Sequence, residues 1–292
     1  MKSRFLDPII VDKFLNQNIK PKGLVEGFVT GLHRSPFHGF SVEFAEHRPY
    51  STGDEIKHLD LKVYGKSDRF YVKQYEDETN MRVCFLLDIS KSMSYKSNGI
   101  SKLEYGCYLV ALLSYILLKQ GDAVGFFAFN NSIRHFIPPK STLGHLQTIL
   151  EEFEKIEPEG DTDLSKPLNE IAEKMKRRAL IFIISDLIDD EQKVISALRH
   201  FRHNKHECTV FHILDEMELN LSFGSMVTFE DLENKERLQV DTRYIADDYK
   251  KEINNFIDRY KQSCSESMIE YVQVTTGIPY DQFLTAYLND IR

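Results

Sequence analysis

The chain has 292 residues, 42% apolar and 28% charged, enough to bury a sizeable core as one large α/β domain or two smaller ones. A formal charge of −8 and a pI near 5.7 lack the basic footprint of a general nucleic-acid binder. Cys84, Cys107, Cys208 and Cys264 are widely spaced with no Cys-x-x-Cys pair, a pattern of reduced core thiols rather than a disulfide framework.

The N-terminus, MKSRFLDPIIVDKF, is interrupted by Asp7 and Asp12 and has no signal-peptide apolar region, so a cytoplasmic protein is expected. Residues 1–80 read as an N-terminal helix followed by a segment rich in Gly, aromatics and charge, without long helical periodicity, which predicts a small β subdomain. His33 to His38 is locally basic, but acids nearly balance Lys and Arg over residues 31–73. A structured loop or protein-docking surface is therefore expected there, with no nucleic-acid role.

From Arg82 onward, strand and helix patterns alternate. VCFLL (83–87), VGFFAF (124–129), IRHFI (133–137), LIFII (180–184), TVFHIL (209–214) and IEYVQV (269–274) are rich in β-branched and aromatic residues and predict strands. Ser101-Lys102-Leu103-Glu104 reads as a capping box, opening a helix that is apolar on almost every face and ends near Gly121. The longest uncharged apolar stretch, around Leu109 to Leu118, is too short to span a bilayer, so no membrane insertion is expected.

Leu164, Leu168, Ile171, Ala172 and Met175 fall on one helical face, and Ile253, Phe256, Ile257 and Tyr260 form another stripe. Residues 219–241 predict a β-hairpin insertion with its turn near Glu233-Asn234. Strands alternating with helices over residues 81–292 predict a doubly wound, mostly parallel α/β sheet.

Within that framework FLLDISKSMS (85–94) stands out. An apolar run stops at Asp88, and Ser90 and Ser92 follow at alternate positions. Ligands of open α/β sheets gather beyond the strands' carboxyl ends, where this segment would lie. One carboxylate and two hydroxyls suit a hard cation such as Mg²⁺, and they leave it electrophilic, with room for an outside carboxylate. Gly160-Asp161-Thr162-Asp163-Leu164 precedes a helix, and Ser185-Asp186 ends the strand LIFII, so both can reach the same edge. His200, His203 and His206 also invite a metal reading, but histidines near a helix C-terminus suit the dipole without one.

DISKS, GDT-D-L and the strand-terminal SD, in that order, resemble the metal-ion-dependent adhesion site of the von Willebrand factor A fold. The resemblance implies that Ser90, Ser92 and Thr162 contact Mg²⁺ (or Mn²⁺) directly, while Asp88 and Asp186 act largely through water. Many A domains have Gly where Leu187 follows Asp186 here. The segment GLHRSPFHGFSVEFAEHRPYSTGDEIKHLDLKVYGKSDRFYVKQYEDE, with GDAVGFFAFNNSIRHFIPP and VFHILDEMELNLSF, is similar to the family named domain of unknown function 58. That resemblance implies partnership with a MoxR-type AAA+ ATPase, or its client protein, through an acidic residue, in assembly or maturation of protein complexes.

Two functional classes follow. The first is a non-enzymatic, metal-dependent protein-interaction module. The alternative is a Mg²⁺-dependent phosphoryl hydrolase using the same site. The second is poorly served, because the chain has no G-x-x-x-x-G-K-[ST] loop and no second acid in place of Ser90.

Overall fold

A computed structural model describes residues 4–7, 9–11, 41–50, 63–65, 70–78, 81–97, 99–160, 163–223, 226–230 and 237–290. The chain divides into two compact units, residues 32–80 and residues 1–31 with 81–292. In the smaller unit, β1 (Ser41–Pro49) pairs antiparallel with β2 (Tyr71–Glu78), from Ser41 opposite Glu78 to Pro49 opposite Tyr71. The register shifts between Phe44 and Glu46. Beyond the paired ends, Tyr50 N donates to Phe70 O at 3.0 Å, and the Phe70 ring stacks on Tyr64 at 4.4 Å.

The larger unit is built on a six-stranded sheet. Its first half runs β3 (Arg82–Asp88), α1 (Lys102–Lys119), β4 (Ala123–Phe129), β5 (Ile133–Lys140), α2 (His145–Phe153) and α3 (Ser165–Lys174). The second half runs β6 (Leu180–Ser185), α4 (Glu191–His203), β7 (Glu207–Leu214) and α5 (Glu216–Asn220), followed by β8 (Met226–Glu230), β9 (Arg237–Asp241), α6 (Thr242–Glu266), β10 (Glu270–Thr275) and α7 (Tyr280–Asp290). The order across the sheet is β10-β7-β6-β3-β4-β5, parallel except for the edge strand β5. This is the doubly wound, mostly parallel sheet that the alternation of elements predicts.

The order places the topological switch between β3 and β6. The chain leaves β3 toward β4 and β5, then returns to the other side of β3 to lay down β6, β7 and β10. At such a point the two crossovers diverge and open a crevice beyond the strand ends.

Alternation along each strand assigns its residues to the two faces. Val83, Phe85 and Leu87 join the core under α1, α2 and α7, whereas Cys84 and Leu86 join the core under α3, α4 and α6. Both faces are covered, which is why β3 and β6 read as unbroken apolar runs. Helix α1 approaches the sheet closely at Gly106, where a Cβ would stand 2.7 Å from Leu87 Cδ1 and 3.2 Å from Ile184 Cγ2. The expected capping box is formed: Glu104 N donates to Ser101 Oγ at 3.1 Å and Ser101 N to Glu104 Oε2 at 3.0 Å.

Strands β8 and β9 pair antiparallel from Met226 opposite Asp241 to Glu230 opposite Arg237. The expected turn at Glu233-Asn234 lies outside the described residues. All four cysteines are buried and free. Among the described residues no helix is long and apolar enough to cross a membrane.

Candidate metal centre

Asp88 is the last residue of β3 and is fully buried at the switch point. Its Oδ1 accepts from Ser90 N at 2.8 Å, which turns the chain sharply off the strand. Its Oδ2 accepts from Ser185 Oγ, at the end of β6, at 2.6 Å. The turn brings the Ser90 and Ser92 hydroxyls to 3.0 Å from each other, and a single 3-10 turn, Lys91–Ser94, follows. Ser90 is buried and Ser92 half-buried, so this pair leads from the interior to the surface.

Asp186 follows β6 directly and is also buried. Its Oδ1 accepts from Ile188 N at 3.3 Å, and its Oδ2 accepts from Lys102 Nζ at 2.7 Å. The next residue, Leu187, is buried with φ at 55°, a left-handed conformation that few non-glycine residues adopt. Leu187 N donates to Ser185 Oγ at 2.9 Å, and Tyr260 Oη donates to Leu187 O at 3.1 Å. Behind them His212 Nε2 donates to Asp186 O at 2.9 Å and its Nδ1 accepts from Tyr271 Oη at 2.5 Å.

Burial pushes the Asp88 carboxyl up to about 7, and the neighbouring Asp186 charge adds to the effect. Hydrogen bonds from Ser185 and Ser90 oppose it. Lys102, 2.7 Å from Asp186 Oδ2, offsets part of the Asp186 charge, while among the described residues no cation forms an ion pair with Asp88 itself. Lys102 stands otherwise. Burial disfavours its ammonium, but Asp186 and Glu218 outweigh that and hold it above the ordinary lysine range.

The structure thus brings together Asp88, Ser90, Ser92 and Asp186. Thr162 lies outside the described residues, as does Asp161, but the chain on both sides is placed. Glu159 N donates to Ile89 O at 3.1 Å beside the Asp88 turn, and Leu164 N donates to Asp189 Oδ2 at 2.7 Å. Hydroxyl and carboxylate oxygens around the buried Asp88 are a donor set suited to Mg²⁺ or Mn²⁺. Among the described residues no group of three or more His, Cys, Asp or Glu is placed to hold a metal. Two of the three histidines in and after α4 are held by protein groups: His200 Nδ1 pairs with Asn169 Oδ1 at 2.9 Å, while His206 accepts from Ala179 N and pairs with Met175 O, both at 3.2 Å, and His203 is exposed.

Sequence reasoning missed two members of this centre, Lys102 and Glu218. Lys102 Nζ lies 2.6 Å from Glu218 Oε1, whose Oε2 accepts from Asp215 N at 2.8 Å in the capping box of α5. The Lys102 side chain has no exposed surface. Its only signal is its place at the first position of an otherwise buried helix.

The family model described as Protein of unknown function DUF58 matches residues 46–256. The uncharacterized protein Rv1480 of Mycobacterium tuberculosis (strain ATCC 25618 / H37Rv) is 22% identical over 233 residues, covering 78% of this chain and 72% of that protein. Mb1516 of Mycobacterium bovis, also uncharacterized, matches with the same figures. Among solved structures, the conserved hypothetical protein BatB from Bacteroides thetaiotaomicron aligns at a TM-score of 0.47 and 15% identity, over 72% of this chain and 98% of that one. The SpRpn10 VWA domain aligns at 0.41 and 12%, over 72% and 95%. The fold is defined by the strand order β10-β7-β6-β3-β4-β5 itself. The family match covers most of the chain, and the protein belongs to the DUF58 family.

Proposed function

We propose that the protein is a non-enzymatic interaction module whose centre at Asp88, Ser90, Ser92, Thr162 and Asp186 holds Mg²⁺ or Mn²⁺ and, through it, an acidic residue of a partner. The observation that supports this reading most is Asp88: a buried carboxylate at the switch point, with no ion-pair partner among the described residues and with two hydroxyls following it. Ser90, Ser92 and Thr162 would hold the ion by their hydroxyls, and Asp88 and Asp186 largely through water. A bound ion would supply a Lewis-acidic position for a carboxylate from outside. The family resemblance points to a MoxR-type AAA+ ATPase or its client as that partner.

Hydrolysis fits the same residues less well. No second acid stands in place of Ser90 to serve as general acid or base, and Asp186 is tied to Lys102 at 2.7 Å. The test is Mn²⁺ binding to the purified chain, followed by capture of the ATPase with and without Mg²⁺. One ion per chain, lost in Ser90→Ala, and metal-dependent capture support the proposal. Metal-dependent phosphatase turnover that disappears in Ser90→Ala would replace it with the hydrolase.

A further inference from the structure

We infer that Lys102 sets the charge of this centre, so that a divalent cation binds weakly to the free protein and tightly only together with a partner's carboxylate. The inference rests on the metal reading above. Lys102 and its two carboxylates form a closed group: Nζ lies 2.7 Å from Asp186 Oδ2 and 2.6 Å from Glu218 Oε1, and the side chain is wholly buried. The ammonium therefore cannot turn outward to meet a ligand. What it contributes is a fixed positive charge behind Asp186.

Counting charges shows the effect. Asp88, Asp186 and Glu218 with Lys102 leave two net negative charges, which a divalent cation neutralises. A partner carboxylate then approaches a neutral centre. Without Lys102 the centre would carry three negative charges, grip the cation harder, and stay negative towards an incoming carboxylate. Buried unit charges several ångström apart shift an equilibrium by about tenfold or more. Lys102 thus moves binding strength from the cation alone to the cation with its carboxylate.

Lys102 is a positioning and charge-setting residue, and two variants separate that role from a purely structural one. Lys102→Met adds a negative charge to the centre, and Glu218→Gln removes one while keeping the shape. Mn²⁺ affinity is measured at pH 8 by paramagnetic resonance of the free ion, in chloride and in acetate of equal ionic strength, acetate being the carboxylate probe. Circular dichroism checks folding.

Wild type should bind Mn²⁺ more tightly in acetate than in chloride. Lys102→Met should bind it about tenfold more tightly in chloride and lose the gain from acetate. Glu218→Gln should bind about tenfold more weakly in chloride and show a larger gain from acetate. If Lys102→Met does not fold, Glu218→Gln decides the matter alone. Weakened or unchanged Mn²⁺ binding in a folded Lys102→Met, or an unchanged Glu218→Gln, overturns the inference while leaving the metal reading intact. Wild type that binds no Mn²⁺ in either salt ends the metal reading and the inference with it.

Discussion

Ser185 Oγ donates to Asp88 Oδ2 at 2.6 Å while accepting from Leu187 N at 2.9 Å, so one hydroxyl fastens the end of β3 to the turn after β6. Both groups are buried, and water cannot replace the hydroxyl without entering the core. Ser185→Ala should lower stability by about 1–3 kcal/mol, the cost of leaving buried polar groups unpaired. In urea unfolding this should appear as a lower midpoint with an unchanged slope. A midpoint equal to wild type would mean that the two strand ends are held by packing alone.

Asp88→Asn removes the charge and keeps one of the two hydrogen bonds, since the amide nitrogen in place of Oδ2 can no longer accept from Ser185 Oγ. The amide oxygen can still accept from Ser90 N, and the carboxylate's burial penalty disappears. In chelator the variant should melt above Ser185→Ala, because the relief of the buried charge offsets the lost Ser185 hydrogen bond. Saturating Mg²⁺ should stabilise only wild type, by about 2.7 kcal/mol at a hundredfold excess over the dissociation constant. Equal Mg²⁺ responses would place the ion elsewhere.

His212 gives the protein an acid limit. Burial is the main cause that lowers its pKa from 6.5 to about 4, against the pull of Asp186. The unfolded chain therefore takes up a proton that the folded chain refuses between those values. The stability that neutral His212 supports is present above pH 6.5 and is lost as the pH falls towards 4. The full window corresponds to at most ~3 kcal/mol. Asp88 acts in the opposite sense, since its raised pKa removes stability from the metal-free protein as the pH climbs from 3.8 to about 7. Comparing wild type with His212→Gln cancels the Asp88 contribution. The variant should show a shallower loss between pH 6.5 and 4, and an identical slope would clear His212 of the role.

Gly106 lies inside α1, where alanine ordinarily strengthens a helix by about 1 kcal/mol. Here the added Cβ would stand 2.7 Å from Leu87 Cδ1 in the packed core, so the Leu87 side chain must leave its rotamer or the helix must lift. Gly106→Ala should therefore destabilise by about 1–3 kcal/mol. A stabilised variant would show that the sheet repacks freely under α1.

The strand ends were legible because burial on both faces leaves an apolar run that an acid must interrupt. Asp88 and Asp186 declare themselves that way. Lys102 could not be found so, because a lysine opening a helix normally extends into water. What buries it lies 84 and 116 residues further along the chain, and no local pattern carries that information. Strand β5 shows a different limit. Its apolar run stops at Ile137, yet the strand continues through Pro138 and Pro139 to Lys140. An edge position tolerates prolines because one side of the strand has no neighbour that needs its N–H groups. Helix α2 was legible and went unread: Leu146, Ile149, Leu150 and Phe153 fall at i, i+3, i+4 and i+7 and form its buried face.

Leu187 gives the loop after Asp186 its readiness. Glycine would take a φ of 55° with little strain, whereas leucine holds it at roughly 1–2 kcal/mol. In return the leucine side chain sinks into the core, and hydrogen bonds with Ser185 and Tyr260 fix the peptide groups on its two sides. A loop anchored in this way has little freedom left to surrender when a ligand arrives. Its ordering was completed when the chain folded, and the entropy that a glycine-hinged loop would lose at the moment of binding is already gone.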